Sequence, residues 1–396
     1  MTPDITVLCP DLRSPSVGAA VRLRELLAPW SVEIVGPDFG GGICSMYRQA
    51  GPFTVVPTRK LYRWPDFLWE SRKLEHAVRG RVVIAVKAYM NTVSVALRLQ
   101  RRGAARAVAF LDEWDGSALA GLSAGQRVAR MLRQAHLPLE DSYYPFVERQ
   151  LAEISLVLST TRALRERFGG EVIAMGVDMR RFCPQPSDLV DRLRVELGLS
   201  GKKVIVFGGV VRPHKGVEDM LEAIARCGRT DVVLVVAGPV TDHLEALRAQ
   251  PRYRPLLVVA GAPLSDDPSG INRAVSERLP LYLDLADVMM LPLQDTPLAQ
   301  SQMPIKIFEA MAMGKPVIAT AVADLPRVLD GCGILVAAGD TAALASSLAD
   351  ILVDPVKASR LGRVARERCE QFYSREAAGA HLRGLIEPLL MKASMS

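Results

Sequence analysis

Pro304-Ile-Lys-Ile-Phe-Glu309-Ala-Met-Ala-Met-Gly314-Lys-Pro316-Val-Ile-Ala-Thr320 reads as a loop, a short helix carrying Lys306 and Glu309, and a Gly-Lys-Pro turn into a buried strand. A helix start gathers unpaired backbone N–H groups and a partial positive charge, the combination that suits a diphosphate. Glu309, one turn in, is placed to accept hydrogen bonds from ribose hydroxyls. An ordinary amphipathic helix ending at Gly314 has the same pattern, so the surrounding segments decide.

Upstream and downstream of this stretch, short apolar runs alternate with helical segments. Lys203–Phe207, Val232–Ala237, Leu256–Ala260, Val288–Leu291, Pro316–Ala319 and Gly333–Val336 read as strands. Val217–Cys227, Leu244–Ala249, Arg278–Leu285, Lys306–Met313 and Thr341–Val353 read as the helices between them. The first half has the same rhythm, with strands predicted at Ile5–Cys9, Val32–Val35, Thr54–Val56, Val82–Val86, Ala107–Leu111, Leu156–Ser159 and Glu171–Ala174. Uninterrupted apolar runs alternating with helices indicate parallel, doubly wound α/β sheets. The proline-rich, polar segment Phe182–Asp188 is the predicted linker. Two Rossmann-like domains follow, at residues 1–184 and 185–375, with a terminal helix in 376–396.

The totals agree. A chain of 396 residues exceeds one ordinary core, which suggests two domains of roughly 180–200 residues each. A net charge of +6 suits an anionic partner without naming it. The arginines are dispersed and not interleaved with aromatics, which argues against nucleic acid as a partner. Six cysteines lie far apart with no Cys-x-x-Cys pair, and the histidines lack metal-ligand spacing, so neither a disulfide framework nor a metal site is expected. Neither a signal peptide nor a membrane-spanning run is expected, and the predicted location is cytoplasmic. The sequence has no Gly-x-Ser-x-Gly elbow and no Walker loop, so hydrolase and kinase readings find no support.

In parallel sheets ligands lie beyond the carboxyl ends of the strands, so function is sought in those loops. Gly208-Gly209-Val-Val-Arg212-Pro-His-Lys215-Gly216 combines close backbone approach with two cations at the start of a helix. Gly238, after the next strand, allows close ligand approach or simply makes a tight turn. Asp287 is read as structural. In the first half, Ser14-Pro-Ser-Val-Gly18 either approaches an anion or is a plain loop. Asp112-Glu113-Trp114-Asp115 ends a strand with three acids around an aromatic. It is either a sugar subsite with Trp114 stacked on a pyranose, or a solvated turn with a packed Trp. The mixed aromatic and basic residues Arg59–Trp69 are either a membrane-facing patch or an acceptor-side loop and helix.

Together these pieces resemble the retaining nucleotide-sugar glycosyltransferases of the GT4 group (glycosyl transferases group 1), which have the GT-B fold of two Rossmann-like domains facing a central cleft. The matching residues are Gly208-Gly with His214-Lys-Gly-Val-Glu218, Val235-Val-Ala-Gly238, Tyr282-Leu with Ala286-Asp-Val288, and the Pro304–Ala319 stretch. Asp330-Gly-Cys-Gly333 with Gly339-Asp340, and Met175-Gly-Val-Asp178 with Arg181-Phe-Cys-Pro184, continue the pattern. The match is good from about residue 155 to 375 and weak before 150.

The resemblance implies a metal-independent transferase with no cofactor, which moves a sugar from a nucleoside-diphosphate sugar to a hydroxyl acceptor. A polysaccharide, glycolipid or small-molecule acceptor all suit it, as does peripheral contact with a membrane. Lys215 and a nearby arginine would neutralise the diphosphate, and Glu309 would bind the ribose. The backbone at Met303, Pro304 and Ile305 would cradle phosphates, with Gly18 facing them from the first domain.

Three departures stand out. Ser301 occupies the position where the family has a glutamate at the donor sugar. Val210 aligns with the usual phosphate arginine, so Arg212 is the expected substitute. Asp112 stands where the family often has a histidine. A nucleotide-sugar epimerase on the same fold and a non-catalytic nucleotide-sugar-binding subunit are the alternatives.

Overall fold

The computed structural model describes residues 2–58, 66–134, 143–263 and 271–393. The basic aromatic stretch Arg59–Trp64 lies outside the described residues. The chain divides into two compact units. The first comprises Met1–Gly176, Ser301–Met303 and Arg375–Ser396, and the second comprises Val177–Gln300 and Pro304–Ser374.

In the first unit, β1 (Ile5–Leu8), β2 (Val32–Asp38), β3 (Phe53–Pro57), β4 (Val82–Val86), β5 (Arg106–Leu111), β6 (Leu156–Ser159) and β7 (Glu171–Val172) form one sheet. Their order is β3-β2-β1-β4-β5-β6-β7, and every pairing is parallel. The order reverses direction between β1 and β4, which is where a doubly wound sheet opens toward a ligand. β1 and β4 are wholly buried; β4 reads as an unbroken apolar run and β1 as one interrupted only by Thr6, because helices cover both faces.

The second unit carries β8 (Lys203–Gly208), β9 (Val232–Ala237), β10 (Leu257–Ala260), β11 (Val288–Leu291), β12 (Val317–Thr320) and β13 (Ile334–Val336). Their order is β10-β9-β8-β11-β12-β13, again all parallel, with the reversal between β8 and β11. Every predicted strand is present, although β7 is two residues long. Asp287 is structural, as read. Its carboxylate accepts the Val204 N–H at 2.9 Å and lies 3.1 Å from Lys203 Nζ and 3.5 Å from Arg194.

The chain passes from the first unit to the second at Gly176/Val177, upstream of the predicted linker at 182–188. Val177 donates to the Tyr373 carbonyl at 2.9 Å, and Phe182 is buried, so this segment is already part of the second unit. A helix, Ser187–Glu196, begins inside the supposed linker. The helix Arg375–Ala393 belongs to the first unit. Ala378, Leu382, Ile386 and Leu390, spaced four apart on one face, join the core of β1 and the Val17–Leu26 helix. Arg383 fastens the same helix by donating to the Leu26 carbonyl at 2.7 Å.

Candidate active site

In the second unit, β8, β9 and β10 end in a row of glycines. Gly209 donates to the Ala237 carbonyl at 2.7 Å, and Gly238 donates to the Ala260 carbonyl at 3.0 Å. A Cβ on Gly238 would come 2.5 Å from the Gly209 carbonyl oxygen, and one on Gly208 would come 2.9 Å from Leu279. The amides of Gly209 and Gly238 are thus engaged within the sheet. These glycines offer a ligand bare backbone to lie against, the close approach expected from the sequence.

Beyond this floor Arg212 is exposed, and Lys215 is half-buried at the end of a 3-10 turn, Pro213–Lys215. Gly216 then takes a left-handed conformation (φ +69°), and a Cβ there would run into the Pro292 carbonyl. Only glycine fits this turn into the Val217–Arg226 helix, so the sequence Lys-Gly has a mechanical reason.

The helix Ile305–Ala312 starts at Pro304, with no side chain capping it and no acid in its first turn. An uncapped helix start keeps its amide donors and positive end available for an anion. Glu309 is only 6% exposed. Lys306, on the first turn, extends toward Gly209, where a Cβ would lie 3.2 Å from its Nζ, and the ammonium sits 5.1 Å from the centre of the Phe207 ring. Burial pushes the Lys306 ammonium below the ordinary lysine value. Glu309 opposes that shift and Arg212 adds to it. Arg212, Lys306, Glu309 and Gly209 therefore share one electrostatic neighbourhood. The sequence reading noted Lys306 but gave it no role.

In the first unit the acids after β5 are neither an open sugar subsite nor a solvated turn. They surround Lys87, the residue after β4, which adopts φ +64° without being glycine. Its N–H donates to the Phe110 carbonyl at 2.8 Å. Its Nζ lies 2.5 Å from Glu113, 2.8 Å from Asp115 and 3.3 Å from Asp112. Burial alone would depress this ammonium, but Asp112, Asp115 and Glu113 outweigh it and hold its pKa well above the ordinary lysine value. Burial raises the Asp115 carboxyl, against the pull of Lys87. Sequence reasoning missed Lys87, whose one signal was a charged residue directly following a buried strand at the sheet's reversal point.

Trp114 donates from its indole N–H to Glu148 at 2.7 Å, and the Arg167 guanidinium covers its ring at 3.9 Å from the centroid. One face is therefore closed to a pyranose. Ser301 is buried; its hydroxyl accepts the Trp114 backbone N–H at 2.9 Å, and its carbonyl accepts from Thr161 at 3.3 Å. Gln302 donates to Glu113 at 2.7 Å. Met303 is grouped with these residues in the first unit, whereas Pro304 and Ile305 belong to the second. Gly18 is the second residue of the Val17–Leu26 helix and does not end a loop. A Cβ there would lie 2.5 Å from the Tyr47 hydroxyl, so Gly18 makes room for Tyr47. The structure thus brings Arg212, Glu309 and the glycine floor together, with Lys215 on the same loop. Asp112 and Ser301 belong to the Lys87 and Trp114 network of the first unit.

Residues 201–354 match the family model described as Glycosyl transferases group 1. One relative is a GDP-mannose-dependent alpha-(1-6)-phosphatidylinositol monomannoside mannosyltransferase of Mycolicibacterium smegmatis, 28% identical over 251 residues. That match covers 59% of this chain and 62% of the relative's own length. Among solved structures, sucrose-phosphate synthase of Thermosynechococcus elongatus superposes with a TM-score of 0.71 at 22% identity, covering 98% of this chain and 99% of that one. HepE of Anabaena in complex with UDP-glucose gives 0.71 at 17% identity, covering 97% and 99%. These likenesses are ones of fold, two Rossmann-like α/β units in the GT-B class.

Proposed function

We propose, from a chain that carries a glycosyl transferases group 1 domain at residues 201–354 on the GT-B fold, that the protein moves a sugar from a nucleoside-diphosphate sugar to a hydroxyl acceptor with retention of anomeric configuration. The observation that carries the reading is the cluster at the end of β8, where cations, a buried carboxylate and an uncapped helix start meet over bare backbone. Arg212 and Lys215 neutralise the departing diphosphate, and Glu309 accepts hydrogen bonds from ribose hydroxyls. The bond between the anomeric carbon and the phosphate oxygen breaks. The acceptor oxygen bonds to that carbon on the face just vacated, and a phosphate oxygen takes the acceptor's proton. Fixed cations supply the charge stabilisation that a metal ion would otherwise provide.

A melting panel with UDP, GDP, ADP, TDP and CDP, with and without magnesium, tests this reading. A diphosphate at about 100 times its dissociation constant adds roughly 2.7 kcal/mol to the fold. We expect one nucleotide to raise the melting temperature by several degrees, equally with and without magnesium. No shift with any of them would rule the donor site out.

Peripheral membrane contact belongs to the same reading. The Ala124–Gln134 helix carries Arg127, Arg130 and Arg133 with no acid, and exposes Val128, Met131 and Leu132, the last at 76%. A basic helix with an exposed apolar stripe suits an anionic lipid surface. Trp69, on the Asp66–Ala77 helix, is exposed as well, with Arg72 over its ring at 5.0 Å. Among the described residues no helix is long and apolar enough to cross a membrane. Co-sedimentation with phosphatidylglycerol vesicles should drop when Val128 and Leu132 become serine. Equal sedimentation of that variant and the wild type would remove the membrane contact.

A further inference from the structure

We propose that Lys306 is a direct ligand of the donor's diphosphate, gripping it together with Arg212 over the end of β8. The inference rests on the glycosyltransferase reading and names a residue to which that reading gave no task. Lys306 leaves the first turn of the Ile305–Ala312 helix and runs back to the glycine floor. Its Nζ and Cε would lie 3.2 and 3.3 Å from a Cβ at Gly209, so the lysine reaches this spot because residue 209 has no side chain.

Among the described residues no hydrogen bond or ion pair holds the ammonium, and its recorded neighbour is the Phe207 ring. A partly buried cation repelled by a second cation loses stability that the Phe207 ring face and Glu309 only partly return, unless an anion completes the site. Burial and Arg212 both disfavour the charged form, and Glu309 only partly offsets them. An oxyanion between Lys306 and Arg212 would reverse both penalties at once. The ligand chemistry this selects is a diphosphate. A neutral sugar hydroxyl or a base would leave the two cations in mutual repulsion.

Two variants and a chemical probe test the assignment on the full chain. Lys306→Met should weaken binding of the nucleoside diphosphate that shifts melting by about 10- to 100-fold, the usual worth of a hydrogen bond to a charged group. Binding of the parent nucleoside should be unchanged, and Lys306→Arg should keep most of the diphosphate affinity. The melting temperature of Lys306→Met without ligand checks its fold. Independently, pyridoxal phosphate condenses its aldehyde with a lysine amine, releasing water, and borohydride reduces the imine to a stable secondary amine. Peptide mapping should find Lys306 labelled, and the nucleoside diphosphate should block the labelling where the nucleoside does not.

Undiminished diphosphate affinity in Lys306→Met, or labelling indifferent to the diphosphate, would overturn the assignment while leaving the transferase reading intact. A wild-type chain that binds no nucleoside diphosphate would bring down both.

Discussion

Replacing Lys215 with alanine should lower the rate of sugar transfer by about 10²- to 10³-fold, the usual cost of removing one preorganised electrostatic contact to developing charge. The argument starts from how firmly the backbone holds this residue. Lys215 donates its N–H to the Arg212 carbonyl at 2.9 Å, and Gly216 donates to the Pro213 carbonyl at 3.2 Å. The left-handed Gly216 is wedged against Pro292. A cation on so constrained a turn needs little reorganisation when the leaving diphosphate gains charge.

The rate is read as nucleoside diphosphate released from the donor that the melting panel identifies. Circular dichroism and unliganded melting should match the wild type. Glu309→Gln should weaken the nucleoside diphosphate more than inorganic pyrophosphate, because its direct task is at the ribose. Wild-type turnover in Lys215→Ala would sink the placement of the diphosphate beside this loop.

The second large effect is on stability. Lys87→Met strips the cation from Asp112, Glu113 and Asp115, and uncompensated buried charge of this kind costs about 3–5 kcal/mol. That corresponds to a fall on the order of 10 °C in the melting of the first unit.

The sign of the pH dependence separates charge from packing. In the wild type the Lys87 pKa is raised on folding, so its contribution is complete below the ordinary lysine range and is lost only as pH rises through its higher folded value. Burial already raises the Asp115 carboxyl against the pull of Lys87, so losing that cation lifts its folded pKa further above the unfolded one. The penalty is therefore full at neutral pH and fades as pH falls through that value toward the ordinary carboxylate range. Urea melts at neutral pH and near pH 5 should show the deficit shrinking at the lower pH. An equal deficit at both would mean that the loss is of packing and not of charge.

The strands were legible because a strand buried on both faces must be apolar at every position, as β4 and β9 are. Helices were less so. Pro355–Phe372 went unread, although Asp354 caps it through the Lys357 N–H at 2.8 Å and Pro355 opens it, a signal that was present in the sequence. Ser187–Glu196 was hidden by the prolines and polar residues at its start.

The sequence by itself determined two doubly wound sheets, the Arg212–Gly216 turn and the Pro304–Glu309 helix start, because each depends on local chemistry: apolar runs, a glycine that must turn left-handed, an uncapped helix. Tertiary structure alone decided what the residues meet. It turned the acids after β5 into a cage for Lys87, because the ends of β4 and β5, at Val86 and Leu111, are neighbours in the sheet though far apart in the chain. It assigned Ser301 to the Trp114 backbone and Gly18 to the Tyr47 hydroxyl, and it laid Lys306 against Gly209 from a helix nearly 100 residues away. Charge and burial act through space, and the distances that set them appear only once the strands have chosen their neighbours.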